Sequence, residues 1–267
     1  MVCPGGQAPR LTCPPLRSVD TAPPALHHRR MPCRMFGYAG RREADVRELF
    51  AGLKRACAHD PTLTGIVAGC SRHSHGWGYV IHAANGLFHY RSSRSIYEDD
   101  AALPKMEGEI RAIFHGRFAT NQELMAHIFC HPFVTATDRE LIYLAHNGSV
   151  SPTVATERKV DSEWALDVIA DSGLEAALPR LKEQTVSALN LLVLTAPRAA
   201  GAAPALRGLN FFKPTEQPKV DYYRMYCGQM PGGSAFVSST LTLEDAGLKN
   251  LKIAGPAPFG ELLTLSP

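Results

Sequence analysis

Cys33 opens the run Cys33-Arg34-Met35-Phe36-Gly37-Tyr38-Ala39-Gly40, and a cysteine that heads a mature chain carries its own base. The thiol is the nucleophile, and the free α-amine, with an ordinary pKa of about 8, can accept and return a proton during acyl transfer. Residues 1–32 stand in front of it. Taken alone, a cysteine ahead of the apolar Met35, Phe36 and Tyr38 reads first as a small buried residue at the start of a strand.

Three further segments carry polar groups that such chemistry uses. His115-Gly116-Arg117-Phe118-Ala119-Thr120-Asn121 follows an apolar stretch; Arg117 presents a planar fork suited to a carboxylate and Thr120 adds a hydroxyl, a surface ion pair being the plainer reading. Leu144-Ala145-His146-Asn147-Gly148-Ser149 is most simply a strand running into a turn. An asparagine amide and the next glycine N–H can also converge on a developing oxyanion, an interaction worth ~3 kcal/mol per donor. Asp161-Ser162-Glu163 precedes a helical pattern, where Asp161 is placed to cap the helix or to hold an ammonium group. Eleven histidines invite a metal reading, with His73 and His75 alternating onto one strand face and Cys130 beside His131. No Cys-x-x-Cys or His-Glu-x-x-His accompanies them, so neither metal nor cofactor is expected.

Taken in order, Cys-Arg-Met-Phe-Gly-Tyr, His-Gly-Trp-Gly, His-Gly-Arg-Phe-Ala-Thr, His-Pro-Phe, His-Asn-Gly and Asp-Ser-Glu resemble the class II glutamine amidotransferases of the N-terminal-nucleophile (Ntn) hydrolase superfamily, especially their stand-alone glutaminase-type members. The resemblance spans residues 33–267. It implies a four-layer αββα sandwich and a glutaminase reaction through a γ-glutamyl thioester on Cys33. It further implies that Asn147 and Gly148 are oxyanion donors, that Arg117 grips the substrate α-carboxylate and Asp161 its α-ammonium, and that Phe118 and Thr120 line the pocket. Three departures stand out. His75 replaces the acid of the family's Asp-Gly-Trp-Gly run and receives no catalytic role, and Asn121 stands where some members carry histidine. Met31-Pro32-Cys33 also requires cleavage after Pro32 before the Cys33 amine is free. Two alternatives remain open: hydrolysis of another γ-glutamyl amide, and a catalytically silent Ntn-fold regulatory subunit with Cys33 blocked.

The elements that must position these residues follow from periodicity. Val46, Leu49, Phe50, Leu53 and Ala56 predict a helix over 43–59, ended by Asp60-Pro61. Asn85-Gly86 predicts a hairpin joining strands 77–82 and 86–90. Strands are expected at 110–115 and 141–146, helices at 161–172 and 174–183, and strands at 188–194, 209–212, 221–227, 234–238 and 261–265. Residues 196–204 read as a surface loop. This order is α+β. Residues 1–32, broken by prolines, read as a disordered leader, a propeptide or a mis-called start; 33–267 read as one domain.

Hydrophobic residues make up 45% of the 267 and charged residues 20%, enough apolar surface for a continuous core. A net charge of +3 gives no case for nucleic acid, and no stretch reaches the ~20 apolar residues of a membrane helix. Seven scattered cysteines favour reduced thiols and a cytoplasmic setting. No segment is left for a synthase domain or a phosphate-binding loop, so ammonia transfer would need a separate synthase subunit, with glutamine as the small-molecule substrate.

Overall fold

The computed structural model describes residues 33–119, 126–150, 160–199 and 201–267; Thr120 and Asn121, and the expected leader, lie outside them. Two antiparallel sheets face each other. The first has seven strands in the order β11-β9-β10-β1-β4-β2-β3: β1 (Arg34–Gly40), β2 (Trp77–Ala83), β3 (Gly86–Ser92), β4 (Ile110–Gly116), β9 (Met225–Met230), β10 (Gly233–Ser238) and β11 (Lys252–Pro256). The second runs β12-β8-β7-β6-β5, from β5 (Phe133–Ala136), β6 (Glu140–Val150), β7 (Thr185–Pro197), β8 (Ala205–Leu209) and β12 (Leu262–Leu265). Helices α1 (Glu43–Ala58), α2 (Asp161–Ser172), α3 (Leu174–Gln184) and the short α4 (Lys219–Tyr223) complete the main elements.

Three apolar layers account for the stacking. The inward stripe of α1, Val46, Leu49, Leu53 and Ala56, packs on Phe36, Tyr38 and Phe114 of the first sheet. Between the sheets lie Met35, Ala39 and Ile113 against Tyr143, Ala145, Leu192 and Leu206. On the outer face of the second sheet, Ile142, Leu144, Leu191 and Val193 are covered by Ala165, Leu166 and Ile169 of α2 and Leu178 and Leu181 of α3. The result is the four-layer αββα sandwich of the Ntn-hydrolase type. Strand periodicity assigns each residue its layer: odd positions of β1, β4 and β6 face the other sheet and even positions face a helix.

The expected elements are largely present, with three differences. The 221–227 segment is not one strand but α4 followed by β9. Strand β8 lies at 205–209, and residues 210–212 continue only as the isolated bridges Asn210–Phe259 and Ala188–Phe212. Strands β5 and β11 are additional to the expected elements. Among the described residues no helix is long and apolar enough to cross a membrane.

Candidate active site

One end of the gap between the sheets collects the distant motifs. Cys33 directly precedes β1, the central strand between β10 and β4, and is 1% exposed. Tyr143, Ala145 and Asn147 share the inward parity of β6, so Asn147 reaches across to the first sheet, and its Oδ1 accepts the Cys33 N–H at 3.0 Å. The Asn147 Nδ2, also buried, has no hydrogen-bond partner among the described residues. A donor left in this way costs about 1–3 kcal/mol.

Gly148 follows with φ +142, and a Cβ there would run into the Ala188 carbonyl; only glycine fits this bend. The register slips between Gly148 and Val150, turning the end of β6 toward α2. There the Val150 N–H donates to Asp161 Oδ2 at 3.1 Å. Contrary to the expectation for Asp161, the N-cap of α2 is Val160, and Glu163 satisfies the Val160 N–H at 3.0 Å. Asp161 is the first helical residue, where the helix dipole favours a carboxylate. His146, on the opposite parity, faces α2 and pairs through Nδ1 with Ser162 Oγ at 2.9 Å.

At the end of β4, Arg117 is fully buried and its Nη1 donates to the His75 carbonyl at 3.3 Å. The Arg117 N–H donates to the Gly76 carbonyl at 2.8 Å and the His75 N–H to the Arg117 carbonyl at 3.0 Å. The Ala119 N–H is accepted by His75 Nδ1 at 2.8 Å, and the His75 ring lies 4.8 Å from that of Phe118. His75 thus braces the 117–119 segment, a role its place in a His-Gly-Trp-Gly run did not announce. Burial pushes its pKa down, leaving a neutral ring whose Nδ1 can accept.

The electrostatics at Cys33 register the convergence. Burial pushes its thiol up to about 11, while a hydrogen bond from the Phe118 N–H and the charges of Arg117 and Arg34 pull the other way, and Asp161 adds to the rise. Cys33, Arg117, Phe118, Asn147, Gly148 and Asp161 are therefore assembled at one place; Thr120 lies outside the described residues.

Beneath Cys33 lies a buried polar network that the motifs did not reveal. Arg34 Nε donates to Asp60 Oδ2 at 2.6 Å, and His73 Nε2 meets the same oxygen at 2.7 Å. Asp60 Oδ1 accepts from the Thr62 hydroxyl at 2.7 Å and the Thr240 hydroxyl at 3.0 Å. Tyr222 donates its hydroxyl to the Cys33 carbonyl at 3.2 Å. Among the described residues no group of three or more metal-ligating side chains occurs.

No protein-family model matches the chain, and no curated protein sequence does. Among solved structures, the allosteric regulatory enzyme of purine biosynthesis aligns with a TM-score of 0.59 at 20% identity, over 87% of this chain and 46% of that enzyme. The chain thus spans about half the length of that relative. A predicted glutamine amidotransferase from Pseudomonas aeruginosa PA01 aligns with a TM-score of 0.44 at 15% identity, over 88% of this chain and 95% of the other. At this identity, the first alignment establishes a shared fold: the sandwich that carries Cys33 is the one found in the regulatory enzyme of purine biosynthesis.

Proposed function

We propose that the chain is a glutamine amidotransferase-type enzyme that releases ammonia from glutamine through a γ-glutamyl thioester on Cys33. The observation that carries this reading is the setting of Cys33: its nitrogen on Asn147 Oδ1, and the buried Asn147 Nδ2 beside it without a partner among the described residues. A thiol raised to about 11 does not attack unaided, and the Cys33 α-amine, once Pro32 is removed, is the base at hand.

In this mechanism the sulfur attacks the side-chain amide carbon of glutamine as the thiol proton passes to the α-amine. Negative charge on the former carbonyl oxygen is met by Asn147 Nδ2 and the Gly148 N–H. The amine then returns the proton to the departing nitrogen; the C–N bond breaks, ammonia leaves and the thioester remains. Water attacks the thioester to give glutamate and restore the thiol. Arg117 binds the α-carboxylate and Asp161 the α-ammonium, and Phe118 lines the pocket. Ammonia acceptance by a separate synthase subunit belongs to the same proposal.

The test is ammonia release from glutamine by purified protein with its N-terminal mass determined. Activity is expected from chains beginning at Cys33 and its loss in Cys33→Ala. Unchanged turnover in that variant refutes the nucleophile, and full activity in chains retaining Pro32 refutes the amine as base. Glutamine turnover far below that of γ-glutamyl peptides assigns the site to another γ-glutamyl amide.

A further inference from the structure

Cys33 lies outside the strand ladders: the β1–β4 register starts at Arg34 and the β1–β10 register at Phe36. A chain end without ladder bonds frays unless tied, and a nucleophile must be held within a fraction of an ångström of its productive position. Asn147 ties the nitrogen. The carbonyl is tied by Tyr222, a residue for which no motif predicts a role.

Resting on the amidotransferase reading, we infer that Tyr222 is a positioning residue for Cys33, aimed by the buried Arg34–Asp60–His73 network. Its hydroxyl donates to the Cys33 carbonyl at 3.2 Å, and Tyr222, Arg34, Asp60 and His73 are all 0% exposed. The Arg34 guanidinium lies 3.7 Å from the centre of the Tyr222 ring and donates through Nη1 to the Tyr222 carbonyl at 3.0 Å. The residue next to the nucleophile therefore grips the residue that orients the nucleophile. Asp60 fixes Arg34 in turn, and the Ser239 hydroxyl adds a second donor to the Tyr222 carbonyl at 3.1 Å. A buried ion pair of this kind is poor evidence of added stability, because desolvation offsets much of its attraction; a role in orientation accounts for it better. With the peptide plane held by Tyr222 and the nitrogen by Asn147, the direction in which the Cys33 side chain leaves the backbone is fixed.

The test uses Tyr222→Phe, which deletes one oxygen. Loss of this hydrogen bond is expected to lower kcat for glutamine about tenfold with KM unchanged, since nothing that binds glutamine is touched. A second readout needs no substrate. Cys33 is the one cysteine followed by arginine, so carbonyl-13C cysteine with 15N arginine labels a single peptide group, and the Cys33 carbonyl resonance is expected to shift upfield when the bond is lost. An unchanged resonance, or an unchanged kcat in an active enzyme, overturns the inference. If the wild type releases no ammonia, the functional reading fails and the carbonyl resonance alone decides whether Tyr222 holds Cys33. Should Tyr222→Phe not fold, Ser239→Ala takes its place, with the same sense of shift and a two- to threefold lower kcat expected, on the order of a weakened hydrogen bond; no change in either then overturns it.

Discussion

At the scale of single residues, Asn147 does two jobs with two atoms. Its Oδ1 accepts the Cys33 N–H at 3.0 Å, while its Nδ2 is buried with no partner among the described residues. Asn147→Asp separates them, keeping an acceptor for Cys33 and replacing the donor with an anion. Removing one such donor from an acyl-transfer site costs about 10²–10³ in kcat. Steady-state glutamine hydrolysis by this variant should therefore show kcat down at least a hundredfold with KM within about threefold; a rise in KM alone would make Asn147 a binding residue instead. Gly148 admits no such substitution, because any Cβ meets the Ala188 carbonyl and φ is +142. That pairing explains why Asn147-Gly148 could be read both as a turn and as a donor pair: the glycine makes the bend, and the asparagine beside it carries the buried amide.

At the scale of elements, the segment leading into β2 and the segment leaving β4 hold each other, and His75 is their side-chain clasp. Histidine here and an acid in the resembling family have one thing in common, an acceptor able to receive the Ala119 N–H. His75→Asp should therefore retain most glutamine turnover, whereas His75→Ala loses a hydrogen bond of about 1 kcal/mol, roughly fivefold to tenfold in kcat/KM; equal losses in both would deny the acceptor role. The contrast with Tyr222 shows what a sequence can disclose. Arg117, Asn147 and Asp161 sit in short strings whose composition suggests their chemistry, whereas β4 and β6 are apolar on both faces, so which residues face the other sheet could not be read from the sequence. Asp60 looked only like a helix terminator, and Tyr222 fell in a segment expected to be a strand. Helix α4 ends in carbonyls that distant side chains satisfy: Arg34 Nη1 on Tyr222 at 3.0 Å and Asn190 Nδ2 on Tyr223 at 2.6 Å. Contacts across such separations override the strand preference of two tyrosines, and no local window contains them. The cap of α2 lies one residue before the position its sequence suggests, because Glu163 supplies the capping bond and the Asp161 side chain holds the end of β6 instead.

At the scale of the whole molecule, the buried imidazoles near the site link folding to pH. Burial pushes His115 down to about 3, only partly offset by its hydrogen bond to the His146 carbonyl, and the Arg117, His146 and His73 charges lower it further. His131, whose ring is 4.2 Å from that of His115, is held well below the usual range by burial first and then by His115, His146, Arg117 and Arg91. Both are neutral when folded and take up a proton on unfolding below about pH 6.5. Their contribution is fully present above that pH and is lost as pH falls toward the folded values, at roughly 1.4 kcal/mol per pH unit for each site. Asp60 acts lower still. Its burial would raise the carboxyl, but Arg34 and His73 outweigh that and hold it well below the usual range, so its contribution is lost only below about pH 3.9. Urea unfolding is therefore expected to show stability falling between pH 6.5 and 5, before any carboxylate titrates, by on the order of 3 kcal/mol. In His131→Phe the slope over that interval should drop by about one proton and the variant should gain on the wild type as the pH is lowered, because the two ring nitrogens of His131, without a hydrogen-bond partner among the described residues, are removed along with the proton they take up. A wild-type curve flat over that interval would mean that these imidazoles are charged in the folded state. That charge would lie beside Arg117, adding positive potential there at the expense of the fold that surrounds it.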